Sequence, residues 1–439
     1  SGFRNITLTG ELDAGSLDVS GNADIDGTLS IGSISDIEST INTLQGVSFG
    51  SNAHGVSQYS VGIGISALRN LTNSGTKNVA LGTYALTTCT GCGSNTAIGY
   101  ETLKATTTGS NNTAIGMSAL YTNVTGANNS ALGVQALYSN TTGSNNSGIG
   151  NFALGYNTTG SDNVAMGMNA QSANTTGDKN TALGAYALFS NQTGDGNVAI
   201  GYEALYSNTS TASNTAIGYK ALRANTSGNY NTALGFQSLF SNTTGSYNNA
   251  IGYGALQNNT TASGNNAFGE KALYANTTGA QNTAMGNSAL LNNTTGNYNV
   301  AVGSGSLISN STSSKNVAIG YEALNQNTAD ANTAVGYQSM KSNTTGDQNT
   351  AIGSYSLSSN TTGSENTAIG YYALNANTTG STNTAIGSNA LLSNTTGQNN
   401  VAIGNKALMN HTTGSGNNAL GAEALYSTTT GTGNNAFGY

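Results

Sequence analysis

A triplet of alanine, an apolar residue and glycine recurs every seventeen residues from about Val61 to the last residue, and this period restricts the fold more than any other feature. The glycines stand at Gly82, Gly99, Gly116, Gly133 and Gly150 and continue to Gly438, after a first, degenerate copy at Gly64. A period this short, held this long, is the signature of a solenoid in which each repeat is one coil stacked on the previous one. The 439 residues therefore read as one elongated body behind a leader, not as the two or three globular domains that length alone would suggest.

Aligning the copies on the glycine turns residues into columns. The residue immediately before it is apolar in every copy, from Ile63 through Leu234 and Phe268 to Phe437. The residue before that is Ala except at Gly62 and Gly148, and the residue four after the glycine is Leu except at Gln171 and Met340. Four before the glycine stands Asn in every copy but the first, where Ser60 takes its place. If each coil contains a short strand, equivalent residues stack at about 4.8 Å, the spacing of hydrogen-bonded strands. Apolar columns then fill the interior. Buried asparagines such as Asn95, Asn112, Asn129, Asn146, Asn163, Asn180, Asn197 and Asn214 can bond through their amides to the Asn above and below. The expected fold is all-β, a parallel β-solenoid or β-roll of 17-residue coils.

A second polar stretch, Asn-Thr-Thr-Gly at Asn140 to Gly143 and in many other copies, has turn chemistry. It also takes up the indels. The step from Gly64 to Gly82 is eighteen and that from Gly320 to Gly336 is sixteen, yet the Asn, Ala, apolar and Gly columns survive both, as expected if the polar stretch is a loop.

Burying one Ile-type and one Leu-type side chain per coil contributes roughly 3–6 kcal/mol, against about 1–2 kcal/mol per residue to order the backbone. A single thin coil therefore leans on its hydrogen-bond ladders and its neighbours. Adjacent Ala and Ile columns on a strand point to opposite faces, so one lines the coil and the other needs a partner. This predicts several chains side by side. The leader adds an independent indication of three, because Ile34, Ile37, Ile41 and Leu44 fall at heptad a and d spacing and Ile at both positions favours trimers or tetramers. A short amphipathic helix packed on its own chain is the alternative. Upstream, Ile6-Thr7-Leu8, Leu17-Asp18-Val19 and Leu29-Ser30-Ile31 alternate apolar and polar between Gly-containing turns and read as short strands. The expected divisions are a strand-rich shaft over 1–33, a trimeric coiled coil over 34–47, a junction over 48–60 and the solenoid over 61–439.

With 11 basic and 18 acidic residues and no basic run, the chain lacks the electrostatic footprint of a nucleic-acid binder, and no partner of that kind is expected. No stretch approaches the eighteen or so consecutive apolar residues of a membrane span, so membrane insertion is not expected either.

The block Asn-x-Ala-Ile-Gly-x-x-Ala, complete at Asn197 to Ala204 and with Thr in the last place at Asn95 to Thr102, resembles the head repeat of trimeric autotransporter adhesins. The resemblance implies a left-handed parallel β-roll in which three chains pack around one axis, with the Asn-Thr-Thr-Gly stretch as a longer outer loop. The leader, Leu8-Thr9-Gly10-Glu11-Leu12 through Asp26-Gly27-Thr28-Leu29, is similar to the strand-rich shafts of tailed-phage fibre proteins. That resemblance implies a virion fibre that attaches to a host surface.

Catalytic chemistry needs an irregular constellation, and strict repetition works against one; no enzyme activity and no cofactor are expected. His54 and His411 lie far apart, and His411 replaces the Asn of a turn column. Cys89 and Cys92 have the CxxC spacing of a redox pair or half a zinc site, with a disulfide or ordinary loop residues as the other readings. Asp195, Asp330 and Glu365 are scattered through the loops without calcium-site spacing. Tyr follows the repeat glycine at Tyr100, Tyr202, Tyr219 and Tyr253, which can contact glycans by ring stacking or simply pack between coils or chains. The function expected is a structural and adhesive fibre: an extracellular homotrimer on a virion, joined to attachment proteins at its N-terminal side and contacting host glycans. A bacterial trimeric surface adhesin, an extracellular filament subunit and an ice-binding solenoid are the alternatives.

Overall fold

The computed structural model describes residues 47–49, 59–71 and 76–439. The shaft segment and Ile34, Ile37, Ile41 and Leu44 lie outside the described residues. Strands β1 (Val47–Phe49) and β2 (Val61–Ile63) are followed at the repeat interval by three-residue strands ending at β24 (Asn435–Phe437), and the described residues contain no helix. From β2 to β24 each strand pairs in parallel with the next, like residue against like. Val198, Ala199 and Ile200 face Thr215, Ala216 and Ile217. The result is one parallel sheet of 23 strands, with the chain completing one solenoid coil between consecutive strands. Strand β1 lies antiparallel on β2, Val47 opposite Ile63, and spans the boundary drawn between the heptad segment and the junction.

Register survives both indels, because Val61 pairs with Val79 across the 18-residue step and Val317 with Thr333 across the 16-residue one. The extra residue of the first step falls between Leu71 and Thr76, and the missing residue of the second falls in Asn327–Asp330, so the polar stretch absorbs both. A shift within the strand would instead turn every side chain to the other face.

The ladder continues around the coil beyond the strands. Ser118 N–H donates to the Tyr100 carbonyl of the preceding coil (2.8 Å), while Leu120 N–H and Thr122 N–H donate to Ala136 (3.0 Å) and Tyr138 (3.1 Å) of the following one. This alternation requires left-handed backbone at the second and fourth residues after the glycine: φ is 54° at Ser118 and 51° at Leu120, and near those values throughout both columns. A β-branched side chain strains at such φ, which explains a sequence pattern that hydrophobicity does not. The fourth position holds Leu, Met or Gln and never Ile or Val. The repeat glycine has φ near 135°, and at Gly218 an added Cβ would lie 2.5 Å from the Gly235 carbonyl oxygen, so the coils stack too closely there for any side chain.

Inside, the core is narrow. Strand alanines such as Ala199 and Ala216, small residues three after the glycine such as Ala204 and Ala221, and the leucines Leu205 and Leu222 are all fully buried. The Ile-type column faces outward: Leu132 is 49 % exposed, Leu234 42 % and Ile352 40 %. The expectation that this column helps fill the interior of its own coil is thus corrected. Alternation along the strand leaves room inside for Ala alone, flanked by outward neighbours. The outer-loop reading of Asn-Thr-Thr-Gly is corrected as well, since Asn140 and Gly143 are buried and form an interior wall of the coil.

Leu222→Ile is expected to destabilise its coil by about 1–3 kcal/mol, the cost of a non-glycine residue forced into a sparsely populated backbone region. Leu222→Met, a volume-conserving change already present at Met340, is expected to cost less than about 1.5 kcal/mol. Hydrogen exchange of the amides in the flanking coils measures the difference locally, and equal protection in the two variants would refute the backbone argument.

Candidate functional site

Two asparagine ladders run through the interior. In the first, four before the glycine, Asn95, Asn112, Asn129, Asn146, Asn163, Asn180, Asn197 and Asn214 are all fully buried, as expected. The bonding is mixed. Asn112 backbone N–H donates to Asn95 Oδ1 (2.9 Å), and Asn112 Nδ2 crosses the coil to the Gly126 carbonyl (2.9 Å). Direct amide-to-amide contacts such as Asn180 Nδ2 to Asn163 Oδ1 (3.2 Å) supplement this. Ser60, the one departure from Asn, does the same work by accepting the Asn78 N–H at its hydroxyl (3.0 Å).

Reading the second polar stretch as turn chemistry missed the other ladder. Seven after the glycine, Asn140 Nδ2 donates both to Asn123 Oδ1 (2.8 Å) and to the Gly143 carbonyl (2.9 Å), and the pattern repeats at Asn157 and Asn174. Each Gly carbonyl therefore receives an amide from both ladders, tying the two sides of a coil together: Gly143 accepts from Asn129 as well as Asn140. The unbroken run of Asn in that column from Asn123 to Asn394 was the available signal, because turn chemistry alone admits Asp, Ser or Gly there.

Exceptions in this column fall near the ends of the repeat. Cys89 and Cys92 occupy the places of the Asn and the Gly, are fully buried, and form a disulfide where other coils have the Asn-to-Gly hydrogen bond. His411, also fully buried, places Nε2 2.8 Å from the Gly414 carbonyl, again in the manner of the Asn it replaces. Asp195 and Asp330, set aside as scattered loop residues, belong to a third, outer ladder. Asp195 Oδ1 accepts the Asp178 N–H (2.8 Å), Asp330 Oδ1 accepts the Ser314 N–H (2.7 Å), and serines such as Ser144 serve the same purpose in other coils.

Toward solvent, the predicted tyrosines lie in one exposed column. Tyr202, Tyr219, Phe236 and Tyr253 form a continuous stack with centroids 5.1–5.6 Å apart and interplanar angles of 9–15°, while Tyr100 meets Tyr84 edge-on. The rings cover one another's faces and show their edges to solvent. Beside them Glu203 accepts from Arg223 Nε (2.6 Å), with Lys220 Nζ 3.8 Å away. Burial pushes the Glu203 carboxyl up, but hydrogen bonds from Arg223 and Tyr202 and the charges of Arg223 and Lys220 outweigh it and hold the group below its ordinary value. Glu322 is likewise held down, first by the hydrogen bond from Lys341 (2.6 Å). Both pairs therefore contribute at neutral pH and lose their contribution as pH falls through the carboxylate range.

The outward face of the sheet is continuous from β2 to β24. It has two columns, the apolar one before the glycine and a Thr, Val, Ser or Asn column two residues earlier, and no residue of either is charged in any of the 23 coils. Among the described residues no group of three or more His, Cys, Asp or Glu is placed to hold a metal ion, and no helix is long and apolar enough to cross a membrane. No protein-family model matches the chain, and no curated protein matches it.

Ladder mismatches identify where the sequence can be improved. Gln171 Oε1 in the Leu column, and Asn394 Oδ1 and His411 Nδ1 at the His411 step, are buried without a hydrogen-bond partner. So are Asn310 Oδ1 and Asn316 Nδ2 at the 16-residue coil, where Asn327 Nδ2 turns to the Ala329 carbonyl (2.7 Å) because the Gly of the motif is missing. Gln171→Leu, His411→Asn and insertion of Gly after Ala329 are each expected to stabilise by about 1–3 kcal/mol, the usual cost of a buried unsatisfied polar group. Denaturation midpoints of the three variants test this, and a loss of stability in His411→Asn would contradict the ladder geometry.

Proposed function

We propose that the chain is a structural and adhesive fibre, a homotrimer in which solenoids pack along their uncharged sheet faces. The observation that carries this reading is the outward apolar column, present in all 23 coils and left partly exposed in a single chain, up to 49 % at Leu132 within the run. Twenty-two intervals of about 4.8 Å give a ribbon about 105 Å long, and two columns about 7 Å apart with their side-chain width present on the order of 1,000 Å². That exceeds the roughly 800 Å² per partner of a standard interface, and the charge depletion matches the core of such interfaces. The number three comes from Ile34, Ile37, Ile41 and Leu44 in the leader.

A long stacked rod favours reach over chemistry. The Cys89–Cys92 disulfide fits assembly or residence in an oxidising, extracellular setting. The shaft-like leader favours a virion fibre, anchored through its N-terminal side and contributing to host attachment, over a bacterial surface adhesin or filament subunit. An ice-binding role is disfavoured because neighbouring threonines differ in exposure: Thr141 is half-buried with its hydroxyl on the Thr158 carbonyl (2.9 Å), and Thr142 alone is exposed.

Mass photometry is expected to give three times the chain mass, and electron microscopy uniform rods whose repeat part is about 105 Å long. The combined change Leu132→Asp, Leu234→Asp and Ile352→Asp is expected to yield monomers with an unchanged β circular-dichroism spectrum, since all three side chains point out of their own coil. A monomeric parent protein would sink the proposal.

A further inference from the structure

Five residues before each repeat glycine the chain turns an exposed corner, and the column there has positive φ in every described coil, whatever the residue. Two successive members, Tyr230 and Tyr247, are 55 % and 62 % exposed and stack with centroids 5.1 Å apart and planes 13° from parallel. The next coil has Gly264 in this place, and the one after has the exposed Gln281. The backbone does not demand that glycine, because Tyr247 itself adopts φ 59° in the same column and Gly264 has φ 73°. Four glycines occur in the column, and Gly264 alone follows an aromatic residue.

We propose that Tyr247, Gly264 and Gln281 form a binding notch for a neutral hexopyranose unit of a surface glycan. Two coil intervals, about 9.6 Å, separate the backbones of Tyr247 and Gln281. Gln281 Cγ leans to 3.4 Å from where a Gly264 Cβ would stand, so one six-membered ring enters at stacking distance from Tyr247 once the Gln281 side chain swings outward to close the far side. A pyranose suits these walls. Its C–H face packs on the electron-rich ring face of Tyr247, and its hydroxyls meet the Gln281 amide and the Ser263 hydroxyl, which already accepts the Ser246 N–H (3.0 Å). No charged side chain lies in the column between Tyr230 and Gln281, which selects a neutral sugar over an acidic one. The Tyr202–Tyr253 stack offers no equivalent place, since its inner faces are mutually covered and Glu270 follows Tyr253 in its column. This inference rests on the adhesive reading for its biological meaning but not for its chemistry.

Saturation-transfer NMR on the full chain, with the methyl pyranosides of glucose, galactose and mannose as probes, tests the notch. At least one glycoside is expected to receive saturation on its C–H face, with affinity roughly 2- to 10-fold weaker in Tyr247→Ala, the size of one lost ring contact. Gly264→Tyr, which fills the notch with a third ring at a φ that Tyr already adopts, is expected to abolish the transfer, and Tyr253→Ala to leave it intact. The proposal is overturned if none of the three glycosides is saturated, if both notch variants behave like the parent, or if phenol binds and the glycosides do not. Host-cell attachment is measured separately: glycoside binding without attachment keeps the notch and removes the adhesive role, whereas attachment by Tyr247→Ala at parental level places adhesion elsewhere on the fibre.

Discussion

In-register stacking of identical coils is the constraint from which everything else follows. Most backbone amides outside the strands look to the coil above or below, and so do most of the buried side-chain amides. A buried amide without a partner costs about 1–3 kcal/mol, which makes the paired Asn columns a strong requirement for register. A coil displaced by one residue would break both ladders at once and place the outward column inside. The interior is therefore polar and apolar together, with Ala and Leu filling space while the asparagines fix the alignment.

The same constraint explains how the chain tolerates its irregularities. Substitutions that preserve the role of the ladder are accepted: Ser60 for an acceptor, the Cys89–Cys92 disulfide for an Asn-to-Gly hydrogen bond, His411 for a donor to the Gly414 carbonyl. Where the coil loses a residue, at Asn327–Asp330, strand register holds, but Asn310 and Asn316 each keep an unpaired atom. Length is thus less tightly fixed than alignment.

Stacking also dictates the surface. Repetition turns every outward residue into a stripe, so one apolar position per coil becomes a ribbon of 23, and aromatic positions in successive coils become ring stacks such as Tyr202 to Tyr253. Such ribbons suit association along the length of the rod. A local recognition feature then has to come from a break in a stripe, as Gly264 breaks the run of Tyr230 and Tyr247.

The sequence by itself determined the solenoid, the length of its coil, the position of its strands and the burial of the first Asn column, because a fixed period with Asn, Ala and Leu columns has few other physical solutions. It also showed that the Ala and Ile columns must face opposite ways. Which of them faced inward was decided only by the tertiary structure, because the width of the closed coil, not the hydrophobicity of the residues, leaves room for Ala alone. The Asn of Asn-Thr-Thr-Gly was likewise ambiguous, since the same residue suits an exposed turn and a buried ladder, and only the neighbouring coil supplies the Asn123 oxygen and the Gly143 carbonyl that settle its place. Left-handed backbone at the Leu column was hidden for a related reason: its cause is the alternating direction of hydrogen bonds between coils, which no single repeat contains.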